Sequence, residues 1–228
     1  MIGGIVKTSL IDFQGYLSAV IFTQGCNFNC FYCHNRELIS SKEGGLPVTE
    51  VLSLLDERKD FLDAVVVSGG EPTLHSGLGT LLSSIKSLGL KCKLDTNGSN
   101  PDKVEYLIKR SLVDYVAVDI KGSRSRYAQF AGKEHQADKV YQTLSHLIET
   151  STPHEVRTTM APTMGIDDLI EIAEELPPST IWKLQRYVIP ELFRKEDEQL
   201  IYGDVIPYAT EEELLNVLRR IQPAVAIR

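Results

Sequence analysis

The sequence predicts an α/β fold: a partial barrel of six βα units with parallel strands, open on one side. Three observations carry this. Short β-branched runs alternate six times with helical periodicity, which implies parallel strands joined by right-handed crossovers. The runs Ala64–Val67 and Val116–Val118 are apolar on both faces, as parallel strands covered by helices must be. The 228 residues fall short of the roughly 250 of a closed eight-unit barrel and suit six units better. A doubly wound sheet is the alternative arrangement.

Strands are expected at Ser18–Thr23, Ala64–Ser68, Lys91–Asp95, Tyr115–Asp119, Glu155–Met160 and Thr180–Tyr187. Helices are expected at Thr49–Lys59, Leu78–Leu88, Pro101–Lys109, Asp138–Glu149, Ile166–Leu176 and Glu211–Ile221. Asn100-Pro101 offers a cap followed by proline at the first helical position, and Gly89 ends the second helix. Thr210 with Glu213 three residues on makes a capping box for the last helix. Pro177-Pro178 joins a helix to a strand and does not read as a linker, so residues 1–228 are expected to form one domain. Residues 188–209 lack periodicity and read as a functional loop or lid, with a helix and tail over 210–228.

Composition narrows the classes. With 43% hydrophobic and 24% charged residues the chain is an ordinary globular one. No apolar run approaches the roughly 18 residues of a membrane span. Met1–Leu10 carries no apolar core ending in a cleavage site, so a cytoplasmic protein without a membrane partner is expected. Of the net charge of −7, nearly all arises in residues 167–228, where 13 acidic side chains face 7 basic ones. That balance argues against a nucleic-acid partner, since phosphate binding wants a basic surface. A solvated acidic helix face accounts for the excess more simply than a docking surface.

The chemistry is concentrated after the first expected strand, in Cys26-Asn27-Phe28-Asn29-Cys30-Phe31-Tyr32-Cys33. Three of four cysteines within eight residues is neither a packing pattern nor, being odd in number, a disulfide framework. Structural zinc wants four ligands, usually in pairs. Cys92 lies inside an expected strand, and His34 adjoins Cys33, where neighbouring side chains rarely reach one ion. Three thiolates in a tight loop suit a [4Fe-4S] cluster whose fourth iron lacks a protein ligand and stays open to substrate. A second motif, Ser68-Gly69-Gly70-Glu71-Pro72, closes the second expected strand, where glycines permit close backbone approach. On its own it reads equally as a tight turn with an acidic helix start. Asp95-Thr96-Asn97-Gly98 and Asp119-Ile120-Lys121-Gly122 end the third and fourth strands. Asp119 and Lys121, two apart, share a face of extended backbone and could serve the ammonium and carboxylate of an aminocarboxylate. Turn formation by the aspartates and a solvated lysine are the plainer alternatives. Arg157 sits within the fifth strand, where an unpaired charge is costly, so a carboxylate must face it: Glu71, Asp119 or that of a ligand. These motifs fall at or just past strand C-termini, the face where parallel α/β folds place active sites.

The Cys-x3-Cys-x2-Cys spacing with Tyr32 before the last cysteine resembles the radical S-adenosylmethionine superfamily. Phe22-Thr23-Gln24-Gly25 before it and His34-Asn35 after it resemble the activating enzymes of glycyl-radical proteins, above all those of anaerobic ribonucleoside-triphosphate reductase. The likeness runs from about Gly4 to Gln185. It implies that Cys26, Cys30 and Cys33 hold the cluster, and that Gly70 and Glu71 lie against the methionine amino group of S-adenosylmethionine. It further implies that Asp95, Asn97, Asp119, Lys121 and Arg157 contact the same cofactor. Tyr32 is placed near adenine, with plain ring packing the alternative, and Gln185 faces either substrate or backbone. Asp12-Phe13-Gln14-Gly15 departs from the family, which often has proline where Gln14 stands.

The implied activity is reductive cleavage of S-adenosylmethionine at the cluster to a 5′-deoxyadenosyl radical, with an external electron donor such as flavodoxin or ferredoxin. The radical would abstract hydrogen from a glycine of a partner, an anaerobic ribonucleotide reductase above others. A radical enzyme acting on a small molecule or RNA base is the first rival. A non-catalytic iron–sulfur or zinc-binding protein is the second.

Overall fold

In the computed structural model, which describes residues 1–40, 44–133, 136–204 and 210–228, all strands belong to one eight-stranded sheet in sequential order. The strands are β1 (Ile2–Ser9), β2 (Ser18–Thr23), β3 (Ala64–Gly69), β4 (Lys91–Thr96), β5 (Tyr115–Asp119), β6 (His154–Thr159), β7 (Trp182–Gln185) and β8 (Val225–Ile227). β1 runs antiparallel to β2, and every later pair is parallel. The sheet is open, as expected, because β1 and β8 are its two edges. Sequence reasoning found the six inner strands and missed both edges.

The crossovers are α1 (Val48–Arg58), α2 (Leu78–Ser87), α3 (Pro101–Lys109), α4 (Tyr127–Ala131), α5 (Ala137–Glu149), α6 (Ile166–Glu175), α7 (Glu198–Ile201) and α8 (Glu211–Leu218). Gly89, with φ of +82°, follows α2 as expected, and of the expected capping box at the start of α8 one half is present, the Thr210 hydroxyl accepting the Glu213 amide. Asn100 does not cap α3; its side-chain amide donates instead to the Thr73 carbonyl. The expected lid over 188–209 contains α7, while 205–209 lie outside the described residues. No helix among the described residues is long and apolar enough to cross a membrane.

Alternation along the strands divides the interior in two. One face, carrying Ile21, Val65, Val67, Leu94, Val118, Val156 and Trp182, packs under the helices as the main core. On the other face, Val20, Ala64 and Val66 form a small separate cluster with Phe13. There the expectation of apolar residues on both faces holds for Ala64–Val67 of β3 and for Val116–Val118 of β5, whereas β4, β6 and β7 turn Lys93, Asp95, Glu155, Arg157 and Lys183 inward. Phe13 reaches the inner face from the β1–β2 connection, its ring 4.5 Å from Tyr16 and 5.4 Å from Tyr115.

Candidate functional site: a cysteine loop above a charged barrel mouth

The cysteine loop has no regular structure and is held by its neighbours. The Gly25 and Cys26 amides donate to the Leu38 and Ile39 carbonyls, and the Cys33 amide to Cys30 O. The Arg36 guanidinium grips the loop from inside, donating to Cys30 O at 2.8 Å and Asn29 Oδ1 at 3.1 Å. Across β3 the glycine loop crosses it at contact distance. The Glu71 amide donates to Gly25 O at 2.8 Å, and a Cβ on Gly70 would stand 2.1 Å from that oxygen. Gly69 has φ of +116°, and its Cβ would stand 2.2 Å from Thr23 N. Both glycines are therefore required by the crossing itself.

Below the loop lies a cavity of about 320 Å³ at the C-terminal ends of the strands. Cys26, Cys30, Tyr32 and Cys33 line one side of it, and Gly70, Asp95, Asn97, Asp119, Lys121 and Arg157 line the rest. Ten of the eleven candidate residues thus face one space. The eleventh, Glu71, lies behind the wall and is fully buried. Its Oε1 accepts from the Thr73 amide and hydroxyl and from the Thr96 hydroxyl; its Oε2 accepts from the Asn97 amide at 2.7 Å. Burial pushes its carboxyl above the ordinary range, and those donors offset part of that push. Glu71 ties the glycine loop to the end of β4.

The charged residues form a ladder across four strands. Arg157 spans two carboxylates, 2.8 Å from Asp119 Oδ1 and 2.9 Å from Asp95 Oδ2. Lys121 donates to Asp119 Oδ2 at 3.0 Å, confirming that the two residues share a face. Lys93 stands 3.5 Å from both Asp95 and Glu155, and Lys183 is 2.5 Å from Glu155. Burial alone would raise the Asp119 carboxyl, but Arg157 and Lys121 outweigh it and hold it well below the usual carboxylate range. Burial likewise opposes the Lys121 charge, and Asp119 more than restores it. Sequence reasoning missed Lys93, Glu155 and Lys183. Their signal is charge at every second position of otherwise buried strands.

The thiols suit an iron–sulfur cluster. Cys26 Sγ accepts from the Phe28 amide at 3.4 Å and from Asn97 Nδ2 at 3.9 Å, the kind of contact that supports cluster sulfur ligands. Burial pushes the Cys26 thiol up to about 11 and the Cys30 thiol to about 12, so forming a thiolate at either position near neutral pH requires a cation at the sulfur. A mononuclear site needs its ligands to close on one ion. Among the described residues no three His, Cys, Asp or Glu side chains do so. Cys92 is fully buried in the main core on the opposite face, its sulfur 3.8 Å from Leu82 O, and takes no part. Tyr32 is buried beside the cavity, its hydroxyl donating to Lys121 O at 3.4 Å. Gln185, Thr159, Ser68, Asp12 and His34 also reach the cavity.

The model of the radical SAM superfamily matches residues 20–176, from β2 through the end of α6. The chain belongs to the radical SAM superfamily. It is 33% identical over 220 residues to a Methanocaldococcus jannaschii protein whose name assigns it as a glycyl-radical enzyme activating enzyme, covering 94% of this chain and 88% of that one. It is 30% identical to the pyruvate formate-lyase-activating enzyme of Staphylococcus aureus over 175 residues, 69% of this chain and 68% of the relative. It is thus an enzyme of the glycyl-radical activating group within the superfamily, whose members use a [4Fe-4S] cluster and S-adenosylmethionine. Among solved structures, Streptococcus suis SuiB bound to S-adenosylmethionine superposes with a TM-score of 0.70 at 17% identity, over 92% of this chain and 49% of SuiB. TYW1 with a lysine-pyruvate adduct superposes at 0.63, over 90% of this chain and 74% of that chain. Those two likenesses concern the fold.

Proposed function

We propose that this radical SAM enzyme generates a glycyl radical on a partner protein, and that the partner is an anaerobic ribonucleotide reductase. The observation that carries the radical reading is the crossing of Gly25 and Gly70, which sets three cysteines and the Asp119–Lys121–Arg157 array on one cavity. In this reading Cys26, Cys30 and Cys33 hold the cluster. When bound, the cluster and S-adenosylmethionine together supply a reductively formed 5′-deoxyadenosyl radical that takes hydrogen from the substrate.

The chain's own residues bind and orient. Lys121 and Arg157 offer cations to a carboxylate and Asp119 an acceptor to an ammonium, so the ladder end at the cavity suits the aminocarboxylate of S-adenosylmethionine. Asp95 holds Arg157 in place, Gly70 leaves room for a close approach, and Asn97 donates toward Cys26. Glu71 contributes by fixing the backbone of Asn97 and Thr73. Tyr32 closes the wall beneath the cysteine loop, where an adenine ring can lie against it. The electron comes from a small carrier of flavodoxin or ferredoxin type. The relation to pyruvate formate-lyase-activating enzyme makes a lyase the alternative partner.

The test is anaerobic reconstitution with iron and sulfide, then S-adenosylmethionine with dithionite. Deoxyadenosine formation establishes the chemistry, and its absence rejects it. Mixing with candidate partners should give a glycine-centred doublet in electron paramagnetic resonance with the reductase. A doublet with the lyase alone would reassign the partner.

A further inference from the structure

A second hollow, of about 590 Å³, opens at the other end of the barrel from the cofactor cavity, and among the described residues only Asp12 lines both. It lies at the N-terminal ends of β5, β6 and β7, where Tyr115, Glu155 and Lys183 turn inward, and the β1–β2 connection covers it. Arg228 secures that cover by donating to Ile11 O at 2.5 Å. The polar groups of this hollow are unevenly satisfied. Glu155 has 3% of its side-chain surface exposed; its Oε2 is held by Lys183 at 2.5 Å and accepts from the Tyr115 hydroxyl at 3.3 Å. No hydrogen bond reaches Oε1 among the described residues, and Lys93 stands 3.5 Å from it. Burial opposes the charge of this carboxyl, but Lys183 and Lys93 outweigh burial and hold it below the usual range, so Oε1 is an ionised acceptor in the wall of the hollow. A buried ionised oxygen without a donor is costly, and the cost is relieved by a ligand that brings one. The rest of the lining is largely apolar: Phe13 is buried against Tyr115, and Ile11 and Ile181 are exposed at the mouth.

We propose that this hollow binds a small zwitterion, a free α-amino acid with an apolar side chain. Its ammonium donates to Glu155 Oε1, its carboxylate meets Lys183, and its side chain lies between Phe13 and Ile181. Charge selects this class over others. A simple cation at Oε1 would meet two ammonium groups, Lys93 at 3.5 Å from that oxygen and Lys183 on the other. A simple anion would meet the ionised Glu155 itself. A zwitterion answers both signs, lying antiparallel along the Glu155–Lys183 pair and adding no net charge to a buried site. Lys183 keeps 20% of its side-chain surface exposed, and its ammonium has three donors, so it can serve a second carboxylate. An apolar lining with a few convergent polar groups, in a volume of several hundred Å³, is the usual form of a small-ligand site.

The test uses the full chain, anaerobically reconstituted and saturated with S-adenosylmethionine, so that the cofactor cavity is filled before the probe is added. The probe is L-leucine. It is compared by isothermal titration calorimetry with 4-methylpentanoate, which lacks the ammonium, and with 3-methylbutylamine, which lacks the carboxylate. Leucine should bind at least about tenfold tighter than either analogue. Glu155→Gln keeps the shape of the side chain and should weaken leucine at least about tenfold while leaving 4-methylpentanoate no weaker. Ile181→Asp, at an exposed position, should weaken leucine by a similar factor with an unchanged melting temperature, and it carries the test should Glu155→Gln fail to fold. An analogue that binds as tightly as leucine overturns the proposal and assigns the hollow to a simple ion. Leucine that does not bind, or binds only when S-adenosylmethionine is omitted, overturns it too, the latter by placing leucine in the cofactor cavity. Affinity indifferent to both substitutions puts the amino acid elsewhere and overturns it as well. Every readout is an affinity or a melting temperature, so the radical reading, which deoxyadenosine formation tests, is left untouched by each of these results.

Discussion

Replacing Arg157 by methionine removes the guanidinium that spans Asp95 and Asp119 while keeping most of its aliphatic volume. Removing one partner of a buried ion pair typically costs about 3–5 kcal/mol, because a charge is left uncompensated. Two features reduce the figure. Asp119 keeps 23% of its side-chain surface exposed and retains Lys121 at 3.0 Å. Asp95 retains Lys93 at 3.5 Å. A loss of about 2–3 kcal/mol is expected at neutral pH, read as a lower urea midpoint at constant slope. Arg157→Lys keeps a charge but cannot span both carboxylates, so it should lose less. The pH dependence gives a second check. The Asp119 carboxyl is depressed in the folded protein, so its stabilisation is complete above the unfolded carboxylate range and fades as pH falls through that range and below. The gap between variant and parent should therefore be full near pH 7 and shrink as pH falls below about 4. Equal midpoints at pH 7, or a gap that widens in acid, would refute the ladder as a stabilising array.

Cys30→Ser should abolish iron and sulfide incorporation, measured by colorimetric analysis and visible absorbance, whereas Cys92→Ala should leave both intact and cost about 1 kcal/mol of stability from its core position. Gly70→Ala forces a methyl group against Gly25 O and should cost about 3 kcal/mol together with most of the bound iron; a normal iron content would show that the crossing can relax. Glu71→Gln leaves an amide group facing a backbone or hydroxyl donor, so about 1–3 kcal/mol should be lost in urea denaturation, with an unchanged midpoint as the contrary result.

What could be read from the chain follows from how local each signal is. The helix Pro101–Lys109 agrees to the residue because its proline start and its periodicity lie within the segment itself. β1 escaped because Gly3 and Gly4 interrupt its start and mask the β propensity of Ile5-Val6-Lys7-Thr8, and its pairing partner is supplied later by β2. β8 and α4, of three and five residues, are too short to show a period. In the site, the cysteine spacing is local and stood out, as did the Asp119–Lys121 pair two residues apart. The Arg157–Asp95 contact joins positions 62 apart and the Lys183–Glu155 contact joins neighbouring strands, so only the sheet register brings them together. Glu71 shows the limit of transferring a role by motif. Its loop reaches the cavity, while its side chain turns inward to donors from β4 and from Thr73.

The cysteine loop poses a physical problem that the rest of the chain answers. A cluster needs three sulfurs fixed in relation to one another, yet a stretch without helix or strand supplies few hydrogen bonds of its own. Here three distant segments supply them. After β3, Gly70 and Glu71 fix the loop's entry at Gly25. After α4, Ala131 O accepts the Asn29 amide, and Gly132, with φ of +63°, passes where a Cβ would lie 2.5 Å from Asn29 O. After β7, Asp197 balances the Arg36 guanidinium that holds Cys30 O. Each clamp lies in the segment that follows a different parallel strand (β3, β5 and β7), so the order of strands in the sheet also sets the loop. Clamps drawn from distant segments restrict the loop through contacts of the protein itself, which is the physical reason to build it from the whole fold instead of from its own eight residues.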